Sequence, residues 1–298
     1  MGRTPTVVSL DDATASIWRP FSQYVQKHFD STLVHTRERM FHYTSAEVAR
    51  SIARTGELWL FNIFDAADHE SRGAGSPDER EVLSGIEIMC DEVIKLFKRH
   101  QDSNFHEFAD HFILDMKTQY KNIARIYTFC MSLSPNNYLW NEARKTGEPG
   151  CIEVSDKLVV DLCKREPSYQ DNKSSGKYIP GVVVYDKEDL LDRIRPFLNR
   201  AVRALAKALK KFRPWDYEHI NCVKKHLIWD LGLALLPLAH TYKDRRFIEE
   251  NEIRLLNIIS YPHEPIGETV YNSRSRIIET VDPAMLGLLL DPPPHRSD

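Results

Sequence analysis

Arg39-Met40-Phe41-His42-Tyr43-Thr44-Ser45 is the stretch whose reading decides the fold. Its aromatic and β-branched residues favour extended backbone. Ser45-Ala46-Glu47-Val48 then starts a helix, because a serine hydroxyl accepts amide protons at the N-cap and an acid suits the first turn. Gly56 ends that helix, glycine being the residue that most readily takes the left-handed C-cap. Residues 57–61 return as a strand. His42 is therefore expected on a strand, beside a helix N-terminus and across from a returning strand, where polar ligand-binding groups are often displayed.

With 298 residues, the chain has room for one large domain or two small ones. A hydrophobic fraction of 42% and a charged fraction of 28% are ordinary for a soluble globular protein. The net charge of −3 selects no class of partner, so contact with nucleic acid would need a local patch. Cys90, Cys130, Cys151, Cys163 and Cys222 show no CxxC spacing, which fits reduced thiols better than a disulfide framework or a zinc site. The start of the chain lacks a basic flank followed by an apolar core, so no signal peptide is expected. The longest apolar run, 227–239, is interrupted by Asp230 and is too short to span a bilayer. The expected location is the cytoplasm, with no membrane partner.

Outward from the opening stretch, an N-terminal arm over 1–39 carries a helix at 13–29, with Ile17, Phe21, Tyr24 and Val25 on one face. A single domain is expected over 40–291, with helical insertions near 78–121 and 187–240 and a tail at 292–298. Asp65, Asp68, His69 and Glu70 form an acidic stretch without the glycine-punctuated oxygen spacing of a hard-cation loop. Capping and solvation are expected of them, and no metal. Strands are expected at 125–133, 151–154 and 178–185, with a short Trp140-bearing helix at 139–143 and a polar linker at 166–177.

The long helix 187–212, kinked or broken near Pro196, carries Arg200, Arg203, Lys207, Lys210 and Lys211 with no intervening acid. That set reads either as a phosphate-facing patch for nucleic acid or as a solvated face suited to a helix C-terminus. An apolar helix is expected at 216–240. In Phe247-Ile248-Glu249-Glu250-Asn251-Glu252-Ile253-Arg254, alternation on an extended chain places Glu250, Glu252 and Arg254 on one face. Either a functional rim or a charged ladder at a sheet edge follows from that pattern. A closing strand at 276–281 and a short helix at 283–290 complete the chain.

Three separated pieces, "FHYTS…ARTGELWLFN", "IYTFCMSLSPNNYLWNEARKTGEPGCIEV" and "FIEENEIRLL", together resemble the bacterial family called domain of unknown function 2971. That family in turn resembles the ADP-ribosyltransferase superfamily of NAD-using toxins and RNA 2′-phosphotransferases. The resemblance implies an α+β fold with a split, twisted mixed β-sheet and helical insertions, and NAD as substrate in the cleft between the two halves. It implies that His42 holds ribose hydroxyls with Thr44 beside it, and that Glu252 or Glu250 is the catalytic acid. It also implies that Tyr43, Tyr138 or Trp140 stacks on nicotinamide, with Arg254 among the cofactor-binding residues. The function implied is transfer of ADP-ribose to a macromolecular acceptor, protein or nucleic acid, as in a toxin or anti-phage factor. The alternative is a non-catalytic nucleotide- or nucleic-acid-binding module on the same fold.

The chemistry suits these residue types. Cleaving the nicotinamide–ribose bond develops positive charge that a carboxylate stabilises, and a neutral imidazole both donates to and accepts from hydroxyls. No glycine-rich phosphate loop is present.

Overall fold

The computed structural model describes residues 10–31, 39–62, 77–118, 123–145, 147–212, 217–260, 262–271 and 274–292. Asp65, Asp68, His69 and Glu70 lie outside them. No helix among the described residues is long and apolar enough to cross a membrane.

In chain order, α1 (Leu10–Ser31) precedes β1 (Arg39–Ser45), α2 (Ala46–Thr55) and β2 (Glu57–Asn62). Ser45 caps α2 by accepting from the Val48 amide, and Gly56 closes it at φ +69°. Next come α3 (Pro77–Phe97), α4 (Ser103–Thr118), β3 (Ala124–Ser132), α5 (Asn137–Arg144) and β4 (Pro149–Ser155). A helix not expected from the sequence, α6 (Asp156–Lys164), follows at once, with Ser155 accepting from the Leu158 amide at its N-cap. The polar segment after it holds two short strands, β5 (Tyr169–Gln170) and β6 (Lys173–Ser174), before β7 (Lys177–Val182). Then α7 (Lys187–Phe212) runs unbroken through Pro196, and α8 (Tyr217–Ala239) returns beside it. The chain ends with β8 (Glu252–Ser260), β9 (Glu264–Pro265), β10 (Thr269–Tyr271), β11 (Arg274–Thr280) and β12 (Leu286–Leu289).

Two expectations near the C-terminus are corrected. The helix foreseen at 283–290 is a single 3-10 turn, Pro283–Met285, followed by β12, because Leu286 to Leu289 complete the ladder of β4. Glu250 does not belong to a strand: it ends a 3-10 helix, Arg245–Glu250, and Asn251 turns the chain at φ 44° before β8 begins.

The protein is α+β, built on an open sheet of nine strands in the order β10-β11-β2-β3-β1-β4-β12, with β8 and β7 attached through β3. The nine-stranded sheet is antiparallel in every described register; parallel pairing is found in a three-stranded annex, where β6 and β9 meet, and at the isolated bridge between Val184 and Tyr242. β3 is the pivot. One of its edges is taken by β8 from Ala124↔Ser260 to Ser132↔Glu252. Two strands share the other edge: β2 meets it at Tyr127 and Thr128, and β1 only at Ser132. The sheet forks there.

Each face of the sheet has its own core. Helices α1, α3, α4, α7 and α8 cover one face, packing Phe97, Phe108, Phe112, Phe197 and Leu227 against Ile126, Ile179 and Leu256. Against the other, α2 and α6 pack Ala49, Ile52, Leu158 and Leu162 on Met40, Leu60, Phe129 and Ile253. Each fully buried Phe or Leu contributes about 1.5–3 kcal/mol. The N-terminal helix is part of the first layer: Ile17, Phe21 and Val25 are buried in its core. Of the basic residues on α7, Lys207 and Lys211 donate to the Ser16 and Ala13 carbonyls of α1, and Arg200 lies 3.8 Å from the Tyr24 ring centroid. Arg203 and Lys210 are exposed.

Candidate functional site

Residues directly opposite across an antiparallel ladder project to the same face, and neighbours along a strand alternate. Phe41 pairs with Ser132, and Ser132 pairs with Glu252. Phe41, Tyr43, Cys130, Ser132, Glu252 and Arg254 therefore share one face, covered at Phe41 by Trp140 of α5, while Met40, His42 and Thr44 point to the other. An independent contact agrees, since the His42 ring lies 4.3 Å from that of Phe129, whose ladder partner is Leu255. The histidine and the glutamate expected to meet across one cleft stand on opposite faces of the sheet. That expectation is corrected: one residue of strand parity separates them.

His42 occupies the fork. It is half-buried, and its Nδ1 lies 2.8 Å from the Cys130 carbonyl, in the gap between the points where β2 and β1 join β3. A carbonyl only accepts, so Nδ1 carries the proton and donates. Burial also pushes the His42 pKa below the ordinary histidine value. The ring is consequently neutral, and Nε2 is left as an acceptor.

On the other face, Glu252 is buried at 5% exposure and held by three donors. Arg254 Nε donates to it at 2.7 Å, Lys243 Nζ at 3.0 Å, and the Cys130 thiol also bonds its carboxylate. Burial alone would raise its pKa. Arg254 and Lys243 outweigh that and hold it at about 2. Glu250 shares Lys243 at 2.6 Å, but desolvation wins there and its pKa is raised. Arg254 is fully buried and also donates to the His240 carbonyl at 2.7 Å, so the guanidinium is spent inside the fold and is not presented to a cofactor. This is an internal ion cluster rather than the sheet-edge ladder considered from sequence, because β8 lies between β3 and β7.

The aromatic candidates separate by exposure. Trp140 is 3% exposed and packs with Phe41 and Cys151, so it stacks on core residues rather than on a ligand. Tyr43 receives the Asn136 amide on its hydroxyl at 2.6 Å and is half-buried, with its pKa raised by desolvation. Tyr138 is 41% exposed and is the aromatic of the three most open to a ligand. Lys243 was not singled out from the sequence. Its signal is weak, a lysine nine residues ahead of Glu252 with a turn between them. Asn136, which caps α5 through its Oδ1 and reaches the Glu249 carbonyl through Nδ2, was equally hidden in a turn.

These buried groups set a pH dependence. His240 is fully buried, and desolvation together with Arg254 pushes its pKa down to about 3. Between pH 6.5 and 3 the unfolded chain binds a proton at this position that the folded chain refuses, so stability falls with pH there, by about 1.4 kcal/mol per pH unit at most. Glu252 adds its own loss from about pH 4.5 down to about 2. Glu250, with its raised pKa, opposes part of that loss. Thermal unfolding midpoints measured across this range are expected to drop steadily from pH 7 towards pH 3, and His240→Leu is expected to flatten the limb above pH 4.5. An unchanged slope in that variant would remove His240 from the account.

No family model, curated protein or solved structure matches this chain.

Proposed function

We propose that the chain is a nucleotide-binding module on an ADP-ribosyltransferase-like sheet, holding NAD or a related nucleotide at the β1/β2 fork through His42 without cleaving it. The observation that carries this reading is the state of His42: a neutral, half-buried imidazole, pinned through Nδ1–H to the Cys130 carbonyl, which leaves Nε2 as an acceptor. The strand order β1–β3–β8, with His42 on one flank of the pivot strand and Glu252 on the other, supports the build that the resemblance implies. The opposed faces argue against a shared catalytic use of the two residues. Glu252 already neutralises Arg254 and Lys243, so a carboxylate engaged this way has little charge left for a developing oxocarbenium ion.

The same strand order also favours a second reading, ADP-ribosyl transfer to a protein or nucleic-acid acceptor, and one experiment separates the two. Purified protein is titrated with NAD by calorimetry while free nicotinamide is quantified. The expected result is saturable binding weakened at least tenfold by His42→Ala, with no nicotinamide above the buffer control. Nicotinamide release that stops in Glu250→Gln or Glu252→Gln would install the transferase instead. Absence of binding at millimolar NAD would remove both.

A further inference from the structure

Three metal-ligating side chains meet far from the fork, where α1 crosses α8. Cys222 and His226 lie four residues apart on α8, a spacing that puts both on one face of a helix. Asp11, in the first turn of α1, reaches across to both: its Oδ1 is 3.1 Å from Cys222 Sγ and 3.2 Å from His226 Nε2. All three donor atoms lie within 4.8 Å of one another.

We propose that Asp11, Cys222 and His226 bind a divalent transition-metal ion, zinc in the first instance, which clamps the N-terminal helix to α8. Zinc bonds of about 2.0–2.3 Å to nitrogen, oxygen and sulfur give tetrahedral edges of about 3.3–3.6 Å. The two Asp11 separations are a few tenths of an ångström shorter, and Cys222 Sγ and His226 Nε2 lie within 4.8 Å of each other, so seating the ion requires small movements of the three side chains. One thiolate and one carboxylate neutralise a dication, and a neutral imidazole completes a mixed sulfur–nitrogen–oxygen set that suits zinc better than magnesium or calcium. Three protein ligands leave the fourth position to water, and Asp11 and His226 are open enough to admit it.

The ligands are also held in place. The His226 ring stacks on Trp18 at 4.0 Å with 12° between planes, Trp18 Nε1 donates to Thr14 Oγ1 at 3.2 Å, and that hydroxyl lies 3.3 Å from Cys222 Sγ. Supporting contacts of this kind orient ligands for a metal. The metal-free cluster holds together because the thiol and the imidazole hydrogen-bond the Asp11 carboxylate. On binding, metal bonds replace the S–H bond of Cys222 and the Nε2–H bond of His226: the thiol proton leaves to solvent, and the imidazole proton passes by exchange with solvent to Nδ1, so the ring stays neutral.

The test is titration of the chelator-stripped full chain with Co²⁺, then with Zn²⁺. One equivalent of Co²⁺ is expected to give a thiolate-to-cobalt charge-transfer band with visible bands of tetrahedral intensity, and Zn²⁺ to bleach them. Cys222→Ser is expected to abolish the charge-transfer band, and Asp11→Asn to weaken binding at least tenfold. Circular dichroism establishes that both variants are folded. The proposal is overturned if no charge-transfer band forms at millimolar Co²⁺, or if the band persists in Cys222→Ser. Cys90, Cys151 and Cys163 are buried in the cores and cannot stand in for Cys222.

Discussion

Glu252→Ala is expected to destabilise the fold by about 3–5 kcal/mol, the usual cost of removing one partner from a buried ion pair. The reason lies in what the mutation leaves behind. Arg254 is fully buried and has Glu252 as its carboxylate partner, whereas Lys243, 7% exposed, is paired with Glu250 at 2.6 Å as well as with Glu252 at 3.0 Å. An uncompensated guanidinium beside the fully buried His240 has no water to turn to. Glu252→Gln keeps a hydrogen-bond acceptor and is expected to cost less, while Glu252→Leu combined with Arg254→Met removes both charges and is expected to recover much of the loss. Urea unfolding measures all three. A midpoint for Glu252→Ala equal to wild type would mean that the cluster is solvated and that its placement in the core is wrong.

Gly56→Ala is expected to cost about 3 kcal/mol, from backbone strain and overpacking together. Gly56 sits at φ +69°, where an L side chain is strained, and a Cβ there would lie 2.1 Å from the Val281 carbonyl oxygen. That oxygen belongs to backbone and cannot swing aside. The Val281 amide donates to the Gly56 carbonyl at 2.9 Å, so relieving the clash also breaks the contact that ties the end of β11 to the turn between α2 and β2. The expected signature is a lower unfolding midpoint with an unchanged denaturant slope. Retention of wild-type stability would show that the αL turn relaxes freely.

Much of this architecture was legible where local chemistry and tertiary packing agree. The Ser45 cap, the Gly56 stop and the apolar stripe through Val82, Ile86, Met89, Val93 and Phe97 all predict the elements they form. What sequence could not supply was decided by long-range pairing. Leu286 to Leu289 has no intrinsic reason to be a strand until β4 offers an edge, and Pro196 does not end its helix, which buries residues from Leu190 to Leu209. The site shows the same division. His42, Tyr43 and the glutamates were identifiable as unusual polar groups in apolar surroundings, but which face each one takes depends on a register, Phe41↔Ser132↔Glu252, that joins segments about 90 and 120 residues apart. Alternation misled at Glu250 because Asn251 leaves the strand geometry at φ 44°. The Cys222/His226 pair was not read from the sequence, where Cys222 is one of five scattered thiols, and the carboxylate that meets both, Asp11, comes from the first turn of α1.

In the proposed reading His42 addresses a nucleotide alone, while the glutamates stay engaged on the other face of the sheet. A crystal soaked with NAD tests it most directly. The expected density shows intact NAD at the fork, a ribose hydroxyl within hydrogen-bond distance of His42 Nε2, and Glu252 still paired with Arg254 and Lys243. Density in which one ribose touches both the His42 ring and the carboxylate of Glu252 or Glu250 would contradict it.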